Sequence, residues 1–290
     1  MLTSAHVPPT MARCGVVGSP VAHSLSPVLH RVAYTSLGLE WAYEAVDVPA
    51  GELSRFLGGV GASWHGISVT MPLKREALAL AGRASAVARS VGGANTLLAG
   101  HDGGWRADNT DVPGFLAALQ AGGVIRPRQV VVWGAGATAA SALAALAQLT
   151  PGVQVRLRAR SPERAEPTLT VGRRLGLDVS YCAWTDDERS AEPADLVIST
   201  VPGDAFGPAE HEHVVHAAKP GTILFDVVYD PWPTPVAQTW AASGGSVISG
   251  LELLLHQAVG QVRSMTGHAV EVDVLRSAAH AELDRRRAPG

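Results

Sequence analysis

The chain has 290 residues, 47% of them apolar and 17% charged, with a formal charge of −3. At roughly 100–200 residues per domain this length predicts two domains of a globular protein, and a charge this near balance gives no reason to invoke nucleic acid or an anionic membrane as partner. The two cysteines, Cys14 and Cys182, lie far apart without metal-ligand spacing; they read as structural thiols of a reduced, cytoplasmic protein, with no metal site.

Residues 1–10 lack a basic stretch followed by an apolar run, so no signal peptide is expected. The Pro8-Pro9 pair reads as a disordered leader, with Met11 as an alternative start. No apolar run is long enough to span a bilayer; residues 139–149 form an alanine-rich stretch of ordinary helix length. Residues 14–18 read as the first strand. Ser26-Pro27 then opens a helix to about residue 37, with serine as N-cap and proline at the first helical position. Strands follow at 41–48 and 65–70, with helices at 51–57 and 72–81. Residues 96–99 and 104–107 flank an Asp102-Gly103 turn and predict a hairpin. Beyond a helix at 112–121, the chain alternates strands and helices. Strands at 129–133, 153–157, 195–199 and 222–228 are apolar, and 138–149 is helical. This is the pattern of a doubly wound parallel α/β sheet. Residues 251–284 are mostly helical, and Arg285-Arg286-Arg287 reads as a solvated tail.

The strand at 129–133 runs into Gly134-Ala135-Gly136-Ala137-Thr138 and then a helix. The first glycine permits a sharp turn, the second lets backbone approach a pyrophosphate, and the helix start offers N–H groups and a positive dipole end. Ala139 stands where the third glycine of G-x-G-x-x-G is usual. After the next strand an NAD site commonly carries an acidic residue for the ribose hydroxyl. This chain reads Arg156-Leu157-Arg158-Ala159-Arg160-Ser161 there, with no carboxylate. Guanidinium groups at that place suit the 2′-phosphate of NADP(H), with Arg158, Arg160, Ser161 and Arg164 as its expected contacts.

Four polar clusters remain: Ser24 and Ser26 around a helix start; Ser68-Val69-Thr70-Met71-Pro72-Leu73-Lys74; Gly93-Ala94-Asn95-Thr96; and Asp108-Asn109-Thr110-Asp111. Lys74 is one of only two lysines in a chain that otherwise uses arginine. An ammonium can donate a proton near neutral pH, which a guanidinium cannot. Taken singly, each cluster is also satisfied by ordinary capping and turn chemistry.

As an ordered set, these motifs resemble the shikimate dehydrogenase family. S-x-S is similar to Ser24 and Ser26, and N-V-T-x-P-x-K to residues 68–74. G-A-x-N-T resembles Gly93-Ala94-Asn95-Thr96, and N-T-D-x-x-G resembles Asn109-Thr110-Asp111-Val112-Pro113-Gly114. Further matches are the glycine turn, Ser199-Thr200-Val201-Pro202, Asp226-Val227-Val228-Tyr229, Thr234-Pro235 and Gly250-Leu251-Glu252-Leu253-Leu254-Leu255-His256-Gln257-Ala258. The resemblance implies an NADP-dependent oxidoreductase that reversibly reduces 3-dehydroshikimate to shikimate, on the route to chorismate and the aromatic amino acids. It implies an N-terminal α/β substrate domain (residues 1–110, completed by 251–290) and a Rossmann-like NADP-binding domain (111–250), in a homodimer. By motif position, Lys74 and Asp111 are the catalytic pair. Ser24, Ser26, Ser68, Thr70, Asn95, Tyr229 and Gln257 hold substrate, and Thr200, Val227 and Gly250 join the cofactor set. Ser68, Ala159 and Leu253 stand where the family usually has asparagine, asparagine and methionine. A quinate/shikimate dehydrogenase with relaxed substrate or cofactor use, and a non-catalytic ligand-sensing paralogue, share the same motifs.

Overall fold

A computed structural model describes residues 11–100, 102–184, 186, 194–202, 214 and 217–288; the leader expected over residues 1–10 lies outside them. The described residues form two compact units. One comprises the residues up to Arg83, Ala94–Asp108 and those from Gln261 onward; the other comprises Ala84–Gly93 and Asn109–Gly260.

In the first unit, β1 (Arg13–Gly18) lies between β2 (Ala42–Asp47) and β3 (Trp64–Val69), all parallel. The small apolar run Cys14-Gly15-Val16-Val17 is buried on both faces, as a central parallel strand requires. Past β3 the direction reverses. β5 (Thr96–Ala99) pairs antiparallel with β3, and β6 (Trp105–Asp108) antiparallel with β5, forming the expected hairpin. With the two-residue β4 (Arg83–Ala84) the order is β2-β1-β3-β5-β6-β4. Helices α1 (Ser26–Ser36), α2 (Leu53–Gly59) and α3 (Lys74–Leu80) connect these strands.

The second unit is a parallel sheet of order β12-β11-β10-β7-β8-β9. Its strands are β7 (Gln129–Trp133), β8 (Gln154–Ala159), β9 (Asp178–Ala183), β10 (Leu196–Ser199), β11 (Ile223–Asp226) and β12 (Ser246–Ser249). Alternate residues of the continuous run Val130-Val131-Val132-Trp133 feed opposite cores. Val130 and Val132 pack with Leu143, Leu157 and Ile198, while Val131 and Trp133 pack with Leu224, Val236 and Trp240. The first core is closed by α5 (Asp111–Ala121) and α6 (Ala137–Leu149), the second by α8 (Pro235–Ala242). The strand order reverses between β10 and β7, the place where open α/β sheets leave a ligand crevice beyond their strand ends.

Three elements here do not announce themselves in the hydrophobic pattern. Helix α4 (Ala86–Val91) is only six residues long and joins this unit because Val91 packs with Val112, Ala140 and Val171. Strand β9 lies at the sheet edge and alternates with polar residues, and β12 has only four residues. The C-terminal helical region is two helices, α9 (Gly250–Thr266) and α10 (Val272–Arg287), interrupted where Gly267 takes a left-handed φ of 77°. Among the described residues, no helix is long and apolar enough to cross a membrane.

Candidate active site

In the first unit, the segments that follow β1 and β3 are stitched together. Thr70 N–H donates to the Val17 carbonyl (2.9 Å) and Ser19 N–H to that of Met71 (3.0 Å). Gly18 is required at this crossing, since a Cβ there would lie 2.3 Å from Thr70 Cγ2 and 2.7 Å from the Met71 carbonyl oxygen. Lys74 is the half-buried first residue of α3. Its carbonyl accepts from Ala94 N–H (2.8 Å), and the neighbouring Asn95 carbonyl accepts from Val69 N–H (2.7 Å). Two backbone bonds therefore hold Ser68, Thr70, Lys74 and Asn95 around one end of the sheet.

Ser26 is not the N-cap of α1. That position is Leu25, which makes no side-chain cap. Instead Ser24 Oγ accepts from Ser26 N–H (3.2 Å), and the Ser26 side chain is buried. Tyr43 donates to Ser68 Oγ at 2.6 Å. A phenol on β2 thus reaches a hydroxyl on β3 that is 25 positions away in sequence. Behind it lies His30, fully buried, its ring stacked on Tyr43 at 4.0 Å. His30 Nδ1 is 3.3 Å from Tyr34 Oη, and its Nε2 is 3.4 Å from Gln261 Oε1.

Burial drives the His30 pKa down from 6.5 to about 3, opposed by its bond to Gln261. Above pH 6.5 the folded and unfolded chains both carry a neutral imidazole at this position. Below it the unfolded chain takes up a proton that the folded one refuses, so stability falls with pH by up to about 1.4 kcal/mol per unit until the folded group titrates. The facing phenols of Tyr34 and Tyr43 are held protonated by burial and add nothing in this window. The thermal midpoint is expected to drop between pH 6.5 and about 5, above the ordinary carboxylate range. His30→Gln should flatten that slope; a variant that keeps the full wild-type slope would show that other groups cause it.

In the second unit, Asp111 is the buried first residue of α5. Asn109 Oδ1 accepts from the N–H groups of Asp111 (3.0 Å) and Val112 (3.2 Å), capping the helix from two residues upstream, while its Nδ2 donates to the Gly93 carbonyl (2.9 Å). Gly114 allows α9 to approach closely, since a Cβ there would meet Gln257 N at 3.0 Å. Gly260 faces Thr110 in the same packing, where a Cβ would lie 3.2 Å from Cγ2. The glycine three residues after Asp111 therefore sets Gln257 against the α5 start, and Gln257 Nε2 donates to the Leu254 carbonyl at 3.0 Å.

Beyond the ends of β7, β8 and β10 lies a cavity of about 390 Å³ lined by Gly134, Gly136, Arg160, Arg164, Trp184 and Thr200, among others. Gly134 has a φ of 98°, and a Cβ there would sit 2.5 Å from Thr200 Oγ1. Thr200 Oγ1 donates to the Trp133 carbonyl (2.8 Å), and the Ala135 carbonyl accepts from Thr168 Oγ1 (2.8 Å), fixing the turn. Gly136 is the N-cap of α6, and Ala137 and Thr138 form its first turn. Ser161 caps α7 (Pro162–Arg174) by accepting from Arg164 N–H. Val227 and Gly250 touch at the ends of β11 and β12, where a Cβ on Gly250 would lie 2.0 Å from the Val227 carbonyl oxygen. Tyr229 follows two residues on, half-buried.

Arg158 departs from expectation. It is 2% exposed, and its guanidinium donates to the carbonyls of Trp184 (3.2 Å) and Asp186 (3.0 Å). It lies inside β8 with its side chain turned into the fold, so it braces the segment after β9 and does not line the cavity. Arg160 lies past the strand end and is exposed there with Arg164. The glycine turn, the helix start, two exposed guanidiniums and the absence of a carboxylate at the end of β8 fit a dinucleotide carrying a 2′-phosphate.

Residues 16–97 match the family model of the shikimate dehydrogenase substrate binding domain. A shikimate dehydrogenase (NADP(+)) from Synechococcus sp. (strain JA-3-3Ab) is 32% identical over 278 residues, 93% of this chain and 93% of that protein. The chain belongs to the shikimate dehydrogenase family. The crystal structure of Mycobacterium tuberculosis shikimate dehydrogenase matches with a TM-score of 0.83 at 39% identity, covering 93% of this chain and 99% of that one. The Thermus thermophilus shikimate 5-dehydrogenase, solved in complex with NADP(H) and shikimate, matches with 0.77 at 32% identity, covering 94% and 100%. The expected α/β class, a substrate domain with a Rossmann-like nucleotide domain, is the fold of this family. Against the shikimate dehydrogenase motifs, Tyr43, His30 and Gln261 are additional polar residues that the motifs do not mark. The one signal for Gln261 is its spacing four residues after Gln257 on α9, which puts both amides on one helix face.

Proposed function

We propose that the chain catalyses the reversible, NADPH-dependent reduction of 3-dehydroshikimate to shikimate, an oxidoreductase step at a CH–OH group on the way to chorismate and the aromatic amino acids. Family membership supports the activity. The single observation that carries the cofactor half is the cavity that pairs the Gly134 turn with Arg160 and Arg164.

As the ring ketone is reduced, negative charge grows on its oxygen. The Lys74 ammonium stabilises that charge and delivers the proton, and Asp111 accepts from a neighbouring ring hydroxyl. Ser24 and Ser26 anchor the substrate carboxylate and so fix which ring face is presented. Ser68, Thr70, Asn95, Tyr229 and Gln257 hold the remaining ring substituents. NADPH, when bound, supplies the hydride. The backbone from Gly134 to Thr138 holds its pyrophosphate; Arg160, Ser161 and Arg164 hold its 2′-phosphate; Thr200, Val227 and Gly250 line the nicotinamide end. The reading extends to a homodimer and to the cytoplasm, the latter in keeping with the two free thiols Cys14 and Cys182.

One spectrophotometric assay at the NADPH absorbance tests this, run with shikimate or quinate and with NADP or NAD. The highest kcat/KM is expected for shikimate with NADP. A preference for quinate with NAD would reassign the enzyme, and substrate binding without turnover in any combination would make it a ligand sensor.

A further inference from the structure

We propose that Gln261 is a positioning residue for the substrate, setting which groups of the site donate hydrogen bonds and which accept; this rests on the shikimate reading above. Gln261 is 1% exposed. Its Oε1 accepts from Ser68 Oγ at 2.8 Å and lies 3.4 Å from His30 Nε2. Its Nε2 donates to Thr96 Oγ1 at 3.1 Å and to the Asn95 carbonyl at 3.0 Å. A primary amide has two acceptor lone pairs and two N–H donors, so these four bonds saturate it. Gln261 therefore acts through its neighbours and not by touching a ligand.

Its effect on them is directional. Thr96 Oγ1, accepting from Gln261, gives its single proton to Asn95 Oδ1 at 2.8 Å. The Asn95 amide is thereby locked one way round, with its oxygen toward Thr96 and its NH₂ as the donor edge. Ser68 gives its single proton to Gln261 and accepts one from Tyr43, so toward a ligand it can act only as an acceptor. One buried amide thus presets Asn95 as donor and Ser68 as acceptor. A ring hydroxyl, which both donates and accepts, complements that pair; an ether or keto oxygen, which only accepts, does not. Ser68 stands where the family motif carries asparagine. A hydroxyl could point its proton either way, and Gln261 removes that ambiguity.

Thr96→Val and Thr96→Ser test this. Valine keeps the shape of the threonine but removes the proton that locks Asn95; serine keeps the proton. Thr96→Val is expected to raise the KM for shikimate about tenfold with kcat and the KM for NADP changed less than about twofold, and Thr96→Ser to restore it. Gln261→Glu, which loses both donors, should give the same split. It serves as the second reading should Thr96→Val fail to fold. A merely structural role would lower the thermal midpoint and the active fraction without moving the KM for shikimate. A folded Thr96→Val enzyme with wild-type KM would overturn the inference while the wild type still turned over shikimate. A wild type inert toward shikimate would overturn the functional reading and this inference together.

Discussion

Replacing Lys74 by alanine is expected to lower kcat for shikimate oxidation by about 10²–10⁴-fold, the usual range for loss of a positioned proton donor or acceptor. Lys74 begins α3, and its main chain is tied to Ala94 by a 2.8 Å hydrogen bond, so removing the side chain leaves the local backbone and its neighbours Thr70 and Asn95 held as before. The nucleotide cavity is built from other residues, so the dissociation constant for NADP should change by less than about twofold. Lys74→Arg should rescue poorly, because a guanidinium keeps the charge but does not release its proton in this pH range. The measurement is steady-state kinetics beside a fluorescence titration with NADP. Turnover within a few-fold of wild type would remove Lys74 from the chemistry, and a parallel loss of NADP binding would assign it to the fold.

Replacing Arg160 by alanine is expected to raise the KM for NADP by about 10–100-fold while leaving that for NAD nearly unchanged, the effect of losing a charge-assisted contact to one phosphate. Arg160 is exposed at the cavity edge, just past the end of β8, and its removal leaves the strand intact. Arg158→Ala should behave differently. That side chain bonds to the Trp184 and Asp186 carbonyls from inside the fold, so its loss should lower the thermal midpoint and weaken both cofactors alike. The two variants, assayed with both cofactors, separate a phosphate contact from a brace. Equal losses for NADP and NAD in Arg160→Ala would count against a 2′-phosphate contact there.

Much of this protein is legible in its residues alone. The continuous apolar strands and the glycine turn specified a parallel nucleotide-type sheet, because burial on both faces and a φ of 98° at Gly134 leave few alternatives. The ordered motifs carried the family, because their succession along the chain is far more specific than any one of them. What sequence could not decide was direction. Arg158 and Arg160 share residue type and strand parity, yet one enters the fold and the other leaves it, because β8 ends between them. Ser26 reads as a cap, but the cap position is Leu25, and it is Ser24 Oγ that accepts from the Ser26 N–H. Asn95 and Ser68 read as substrate groups, but only the fold brings Gln261, at least 165 residues away in the chain, to bond both their neighbourhoods. A local pattern records which groups a chain carries. Where each proton points depends on partners that only tertiary packing brings within about 3 Å.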